Sequence, residues 1–267
     1  MATTALTIIK DATSILPNDQ ELADITNDLA DIIAENPRKL FATLRIAPAG
    51  ANVFQIMEPG AEDFTTIAPP LRCVIVASHP LNTRWLGGFG EHQPGERPAC
   101  SSMDGIQGID MDGVVHDCRT CSYNQFGEDG ARKSCGNRTQ LYILREGDVL
   151  PTLFSLPPSA KSAFNNYRVY SRVQAKCPLY AIVTELTLQT KKSRNGTPYS
   201  SLVFSAVGAL PQDVAAKVKH SIDAMVQTTQ RSGVLFEADA STAPVPPVQV
   251  DEQSGMTVAD VDLPDGF

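Results

Sequence analysis

The sequence predicts a mainly β, α+β fold: a small, partly open β-barrel with flanking helices and a cysteine-bearing insertion between strands. Three observations predict it. Runs of alternating or β-branched residues recur between Leu40 and Gly208. An Asn195-Gly196 pair lies between two such runs, a strong short-range hairpin signal. The stretch Pro98–Asn137 holds four of the six cysteines among Gly, Asp, Ser and Asn.

The chain has 267 residues, 42% hydrophobic and 19% charged, as expected of a globular protein. The first ten residues show no basic segment followed by an apolar core, so no signal peptide is expected. No apolar run approaches membrane-span length. A cytoplasmic setting is therefore expected, with cysteines kept reduced.

Residues 1–36 form an acidic N-terminal segment with seven acids and one base. Within it, Leu22, Ile25, Leu29 and Ile32 or Ile33 recur at helical spacing, and Asn18 or Asp19 can cap the start. The bland account is a solvated amphipathic helix packed on the body; a partner-binding helix is the alternative. The body spans 37–236. LFATLRIAP and NVFQIM are strand-like and joined by a turn at 49–51. Leu71–Ser78 is a stronger strand, with Cys73 in it as a core residue rather than a ligand. The glycines that follow do not form GxGxxG, so no dinucleotide site is implied.

The insertion spans 98–137. Cys118 and Cys121 form a CxxC pair, with Cys100 and Cys135 18 and 14 residues away on either side. The segment is too polar to offset its ordering entropy by burial. Four thiolates around one structural Zn2+ would fix it, and four protein ligands leave no open position for water or substrate. Unrelated buried cysteines or two disulfides are the alternatives; turn-rich surroundings and a reducing compartment weigh against both. His116 can replace one sulfur, while His79 and His92 are weaker candidates. Asp104, Asp110, Asp112 and Asp117 read as turn formers.

QLYILRE then reads as a strand. Residues 150–174 read as strand, proline break and helix, with Ser159 as the cap and Phe164, Tyr167 and Tyr170 along the helix. Leu179–Thr190 is a long β-rich run leading to the hairpin, and Pro211–Gln230 is a closing helix. Six to eight strands with few helices suit an oligonucleotide-binding (OB) type of barrel.

Net charge is −8, yet residues 130–200 carry eleven bases and three acids, while 237–267 carry seven acids and no Lys or Arg. A basic body with an acidic tail suits nucleic acid better than the net charge suggests. Single strands are held by cations and by aromatic faces on which bases stack. The candidate cations are Arg72, Arg84, Arg132, Lys133, Arg138, Lys191, Lys192 and Arg194. The candidate stacking platforms are Trp85, Phe89, Tyr123, Phe126 and Tyr199. Any one of these aromatics taken alone is more simply a core residue, and the hairpin bases also serve as a solvated tip that discourages edge pairing. Residues 237–267 read as a disordered acidic tail, ending DVDLPDGF.

That ending resembles the acidic, Phe-terminated tails of bacterial and phage single-stranded DNA-binding proteins. PACSSMDG, CRTCSYNQFG, CGNRTQLYIL and NGTPYSSLVF resemble the phage- and plasmid-type members of that group, over residues 65–210 plus the tail. The resemblance implies an OB-fold with a zinc-binding insertion and cooperative coating of single-stranded DNA in replication, recombination and repair. It carries the zinc role to Cys100, Cys118, Cys121 and Cys135. It carries recruitment of replication or recombination proteins to Asp260, Asp262, Asp265 and Phe267. It implies a bacterial or phage-infected cytoplasm and leaves room for a homo-oligomer. The all-cysteine ligand set departs from relatives that use a histidine, and the acidic N-terminal helix lies outside the resemblance.

Other classes fit less well. A zinc deaminase needs H-x-E with P-C-x-x-C, which His116-Asp117-Cys118 does not supply. No GxxxxGK[ST] is present for ATP hydrolysis, and no basic recognition helix for duplex DNA is evident. The chain is therefore expected not to be an enzyme. A zinc-bearing protein-interaction adaptor is the principal alternative to single-strand binding.

Overall fold

Leu71–Arg84 (β4) is the strand on which the sheet is built. The structure is a computed structural model and describes residues 41–48, 50–86, 98–127, 133–148, 150–193 and 196–231. β4 pairs along Cys73–Arg84 with Cys135–Arg145 (β8). Both strands are apolar on consecutive positions (Cys73-Val74-Ile75-Val76 and Leu141-Tyr142-Ile143-Leu144), the pattern of a sheet covered on both faces. The structure covers both. Cys73, Ile75, Leu141 and Ile143 face a core closed by Phe164 and Tyr167 of the helix Lys161–Val173 (α1). Val74, Val76, Tyr142 and Leu144 face a second core closed by Ala215, Val218 and Ile222 of the helix Gln212–Arg231 (α2).

The remaining strands are Thr43–Ile46 (β1), Phe54–Met57 (β2), Thr65–Ile67 (β3), Cys100–Ser102 (β5), Gln107–Asp110 (β6), Val115–Asp117 (β7), Thr152–Leu156 (β9), Ile182–Lys192 (β10) and Pro198–Ala209 (β11). They form one open, mixed sheet in the order β3-β2-β1-β9-β8-β4-β5-β6-β7, with β10 also on β4 and β11 on β10. Among the described residues, only β1–β9 is a parallel pair. The second edge of β4 is divided: β10 takes Leu71–Val74 and β5 takes Asn82–Arg84. The sheet therefore forks, and the cysteine insertion hangs from the far prong.

No ladder joins β10–β11 to β1–β3 among the described residues. Their contact is polar and close. The Asn52 side chain donates to Thr190 Oγ1 at 2.6 Å, and its amide donates to Ser200 Oγ at 3.2 Å. Gly50, at φ +71°, sits where a Cβ would meet the Pro198–Tyr199 backbone at 3.3 Å. The β1–β2 turn thus rests on the hairpin through a glycine and one amide side chain.

Four elements differ from expectation. β4 continues past Ser78 through Pro80, because Pro80 falls in the gap between β10 and β5, where that edge has no ladder partner among the described residues to receive an N–H. Ser159 is not the cap of α1. The cap is Ala160 without a side-chain bond, after a 3-10 turn Pro158–Ala160. Leu179–Ala181 is a 3-10 turn after Pro178, which delays β10 to Ile182. The insertion is not only loops, since it adds β5, β6 and β7 to the sheet. The hairpin is as expected: Lys191 pairs with Tyr199 and Lys192 with Pro198, with Ser193 N–H donating to the Thr197 carbonyl at 2.9 Å. No helix among the described residues is long and apolar enough to cross a membrane.

Two polar groups are structural. Arg145 clamps Asp148 and Glu58 with both ends of its guanidinium, tying the β8–β9 turn to the end of β2. His79 is buried, with Nδ1 2.7 Å from the Pro80 carbonyl and Nε2 3.1 Å from the Tyr142 hydroxyl. Both ring nitrogens are therefore engaged within the body, which leaves neither for a metal. Burial pulls its pKa below the ordinary value, against the carbonyl contacts of Pro80 and Met103. The unfolded chain then binds a proton that the folded chain refuses, so stability is full above about pH 6.5 and falls as pH drops. The expected result is a melting temperature that declines from pH 7 to pH 5.5, with a shallower decline in His79→Gln. Equal slopes in the two proteins would remove His79 as the cause.

Candidate metal centre and nucleic-acid interface

β5, β4 and β8 meet at Arg84. Cys100 is its register partner on one side and Cys135 on the other. Cross-strand partners project to the same face, so the two cysteines flank the Arg84 side chain. β6 extends this face. Gly108, paired with His116, lies where a Cβ would come within 2.9 Å of Cys100 Sγ and 3.5 Å of Cys118 Sγ. Only glycine leaves room there for the sulfurs.

Cys118 follows β7, and its N–H donates to the Ile106 carbonyl at 2.8 Å. Cys121 precedes the 3-10 turn Ser122–Asn124. The Asn124 amide nitrogen donates to the Cys118 carbonyl at 2.6 Å, which ties the turn back to the CxxC start. All four cysteines line one cavity with Arg84, Asp110, His116, Tyr123 and Asn124. All are free thiols; Cys118 is buried and the other three half-buried. Asn124 leaves Oδ1 buried there without a hydrogen-bond partner. Among the described residues, no group of three or more His, Cys, Asp or Glu closes into a ready-made metal shell; the thiols face a shared cavity.

The electrostatics follow from that crowding. Burial pushes Cys135 up to about 11, and the sulfurs of Cys118, Cys100 and Cys121 push the same way, while Lys133 pulls it down. Burial likewise raises Cys100, followed by Cys118 and Cys121, with Arg84 opposing. For Cys100 and Cys135 the exclusion of water is the larger cause and the neighbouring sulfurs come next.

Asp104, Asp110 and Asp117 do act as turn formers. Asp104 Oδ1 accepts from the amides of Ile106 and Gln107 and from the Ser102 hydroxyl. Asp110 Oδ1 accepts from the amides of Asp112 and Val114, and its Oδ2 lies 2.6 Å from His116 Nε2. His116 is thus at the cavity but engaged with a carboxylate. Asp117 is held down to about 2 by the Arg119 side chain and amide. Cys73 is buried in the core, as expected, with its thiol pushed to about 12 by burial and Asp148. Cys177 packs against the core rather than the cavity.

The candidate nucleic-acid residues fall into two sets. At the insertion, the Arg84 guanidinium lies 3.6 Å over the Tyr123 ring and Lys133 Nζ lies 5.0 Å from the Phe126 ring. Tyr123 is 47% exposed and Phe126 70%. Trp85, just after β4, is partly exposed, and Arg138 is half-buried in β8 opposite Leu81. At the hairpin, Lys191 and Lys192 are exposed, and Tyr199 is 36% exposed directly across from Lys191. Arg72 lies between, paired with Glu185 at 3.2 Å, which offsets its charge. The insertion set lies at the Arg84 end of β4, and the hairpin set lies past its Leu71 end, where β10 runs on with β11 beyond the last β4 pair at Leu186. Phe89, Arg132, Arg194 and the tail residues Asp260, Asp262, Asp265 and Phe267 lie outside the described residues, as do His92 and the N-terminal helix.

Sequence reasoning missed Gly108, Asn124 and the double placement of Arg84. None of these has a local signature; each depends on which strands become neighbours. Compared with known protein families, curated proteins and solved structures, the chain matches none.

Proposed function

We propose that this chain binds single-stranded DNA through two cation–aromatic stations on a curled sheet of OB type, with one structural Zn2+ stapling the insertion. The observation that carries the reading is the station at the insertion. There, two cations each lie over one face of an exposed ring, so charge for phosphate and remaining ring surface for bases are offered together. At the hairpin, exposed Lys191 stands directly across the ladder from Tyr199, which again puts charge and a ring on neighbouring strands.

The residues fit a thiophilic cation. Four free thiols share one cavity, Gly108 leaves the space that a side chain would fill, and Asn124 Oδ1 is orphaned beside them. Cys100, Cys118, Cys121 and Cys135 would hold the metal, which when bound supplies positive charge that stabilises thiolates. Four thiolates and one Zn2+ leave an excess of negative charge, and Arg84 and Lys133 are placed to offset it. With the four positions taken by sulfur, the site holds structure rather than catalysing. The acidic tail, ending at Phe267, would recruit replication or recombination proteins.

Fluorescence anisotropy with labelled poly-dT and a duplex of equal length, at low and moderate salt, tests the reading. Tight, salt-dependent binding to the single strand with much weaker binding to duplex is expected. No binding to either, with a tail-truncated chain as control, would overturn it in favour of the adaptor.

A further inference from the structure

The insertion has two faces. Gly108 and His116 turn one of them toward the cysteines. Ile109 and Val115, directly paired across β6 and β7, belong to the other, and they are 52% and 59% exposed. Met111 and Val114 at the hairpin tip and Ile106 just before β6 are at least half exposed as well. Five large apolar side chains within ten residues therefore stand in solvent, on a segment with four acids and one base between 98 and 127. Scattered exposed apolar residues need no explanation, but a contiguous patch does.

A second surface has the complementary character. α1 buries Phe164 and Tyr167 and turns Val169 and Val173 outward, 60% and 65% exposed. They are one helical turn apart, with exposed Arg172 beside them on the helix and exposed Lys176 just past its C-terminus. Residues 161–176 carry four bases and no acid. Exposed Asp112 stands at the apolar tip of the insertion and exposed Arg172 beside the apolar stripe of the helix, so the two surfaces carry opposite charge.

The two do not meet within one chain. β5 pairs at Asn82–Arg84, whereas α1 covers the opposite end of β4 around Leu71, Cys73 and Ile75. Those positions are roughly 25 Å or more apart along the strand, and no insertion residue joins the core under α1. We infer that the insertion of one copy docks on the α1 stripe of a second copy. Such an interface is heterologous, since each copy offers one of each surface. Without ring closure it propagates as an open row.

Sedimentation velocity on the full chain tests this. The wild-type sedimentation coefficient should rise with concentration in the micromolar range or above, as small interfaces give, and the rise should weaken with salt. Ile109→Thr with Met111→Ser and Val115→Thr removes the apolar insertion face. Val169→Glu with Val173→Glu blocks the helix stripe. Each variant alone should stay monomeric, and their 1:1 mixture should form a dimer and no larger species, because only one intact pair of surfaces remains. A wild-type chain that stays monomeric would overturn the inference and assign the patch to a different macromolecule. So would an α1 variant that still self-associates, or a mixture that stays monomeric while both variants melt like wild type. Should either variant melt early, Asp112→Asn and Arg172→Gln with Lys176→Gln replace them and should show the same pattern more weakly.

Discussion

Replacing Cys118 and Cys121 together by Ser should reduce bound zinc from one per chain to none and lower the melting temperature. The insertion has little else to hold it. β5, β6 and β7 are three, four and three residues long, and most of their neighbours are exposed. Such strands do not offset their ordering entropy without a further constraint. Structural zinc contributes about 10–16 kcal/mol of apparent binding energy in small peptides, most of which would go into ordering the insertion. The body has its own two cores, so it should remain folded while the ends of β4 and β8 fray. A loss of about 3 kcal/mol there corresponds to roughly 6–12 °C for a domain of this size. Chelation of the wild-type chain should give the same shift. Gly108→Ala, which drives a methyl against Cys100 Sγ, should weaken zinc retention, whereas Gly136→Ala, whose methyl meets Thr83 only at 3.6 Å, should not. Purified protein without zinc, or an unchanged melting curve in the double variant, would remove the metal from the proposal.

What could be seen in the sequence was local. Consecutive apolar positions at Cys73–Val76 and Leu141–Leu144 marked the central strands, and Asn195-Gly196 marked the hairpin, because these signals lie within a few neighbouring residues. The four cysteines could be picked out because turn formers do not otherwise surround buried thiols. The rest depends on pairing across the chain. Pro80 argues against a strand unless one knows that β10 and β5 leave its edge empty. The insertion looks like loop because its strands are short and take their register from the far end of β4. Arg84 reads as a surface cation until Cys100 and Cys135 appear on either side of it. The basic and aromatic residues looked like one groove because charge counts carry no geometry. The forked edge of β4 divides them.

That division makes the second large effect a question of distance. Tyr123→Ala with Phe126→Ala removes two stacking faces at the insertion, and Lys191→Ala with Lys192→Ala removes two charges at the hairpin. Stacking contributes roughly 1–3 kcal/mol per base, so the aromatic pair should cost about a hundredfold in affinity for poly-dT and leave the salt slope unchanged. The lysine pair should reduce the slope by about 1.4, at about 0.7 per phosphate contact on single strands. The two sites lie beyond opposite ends of the β4 ladder, so the combined variant should show the two losses multiplied, within a few tenths of a kcal/mol. The shortest oligonucleotide that binds tightly should also distinguish the arrangements. A strand long enough to span both stations should feel both variants, while a short one should feel only the station it occupies. If the lysine pair leaves the slope intact, or if both variants weaken the shortest binding strand equally, the DNA does not run along β4 between two separate stations.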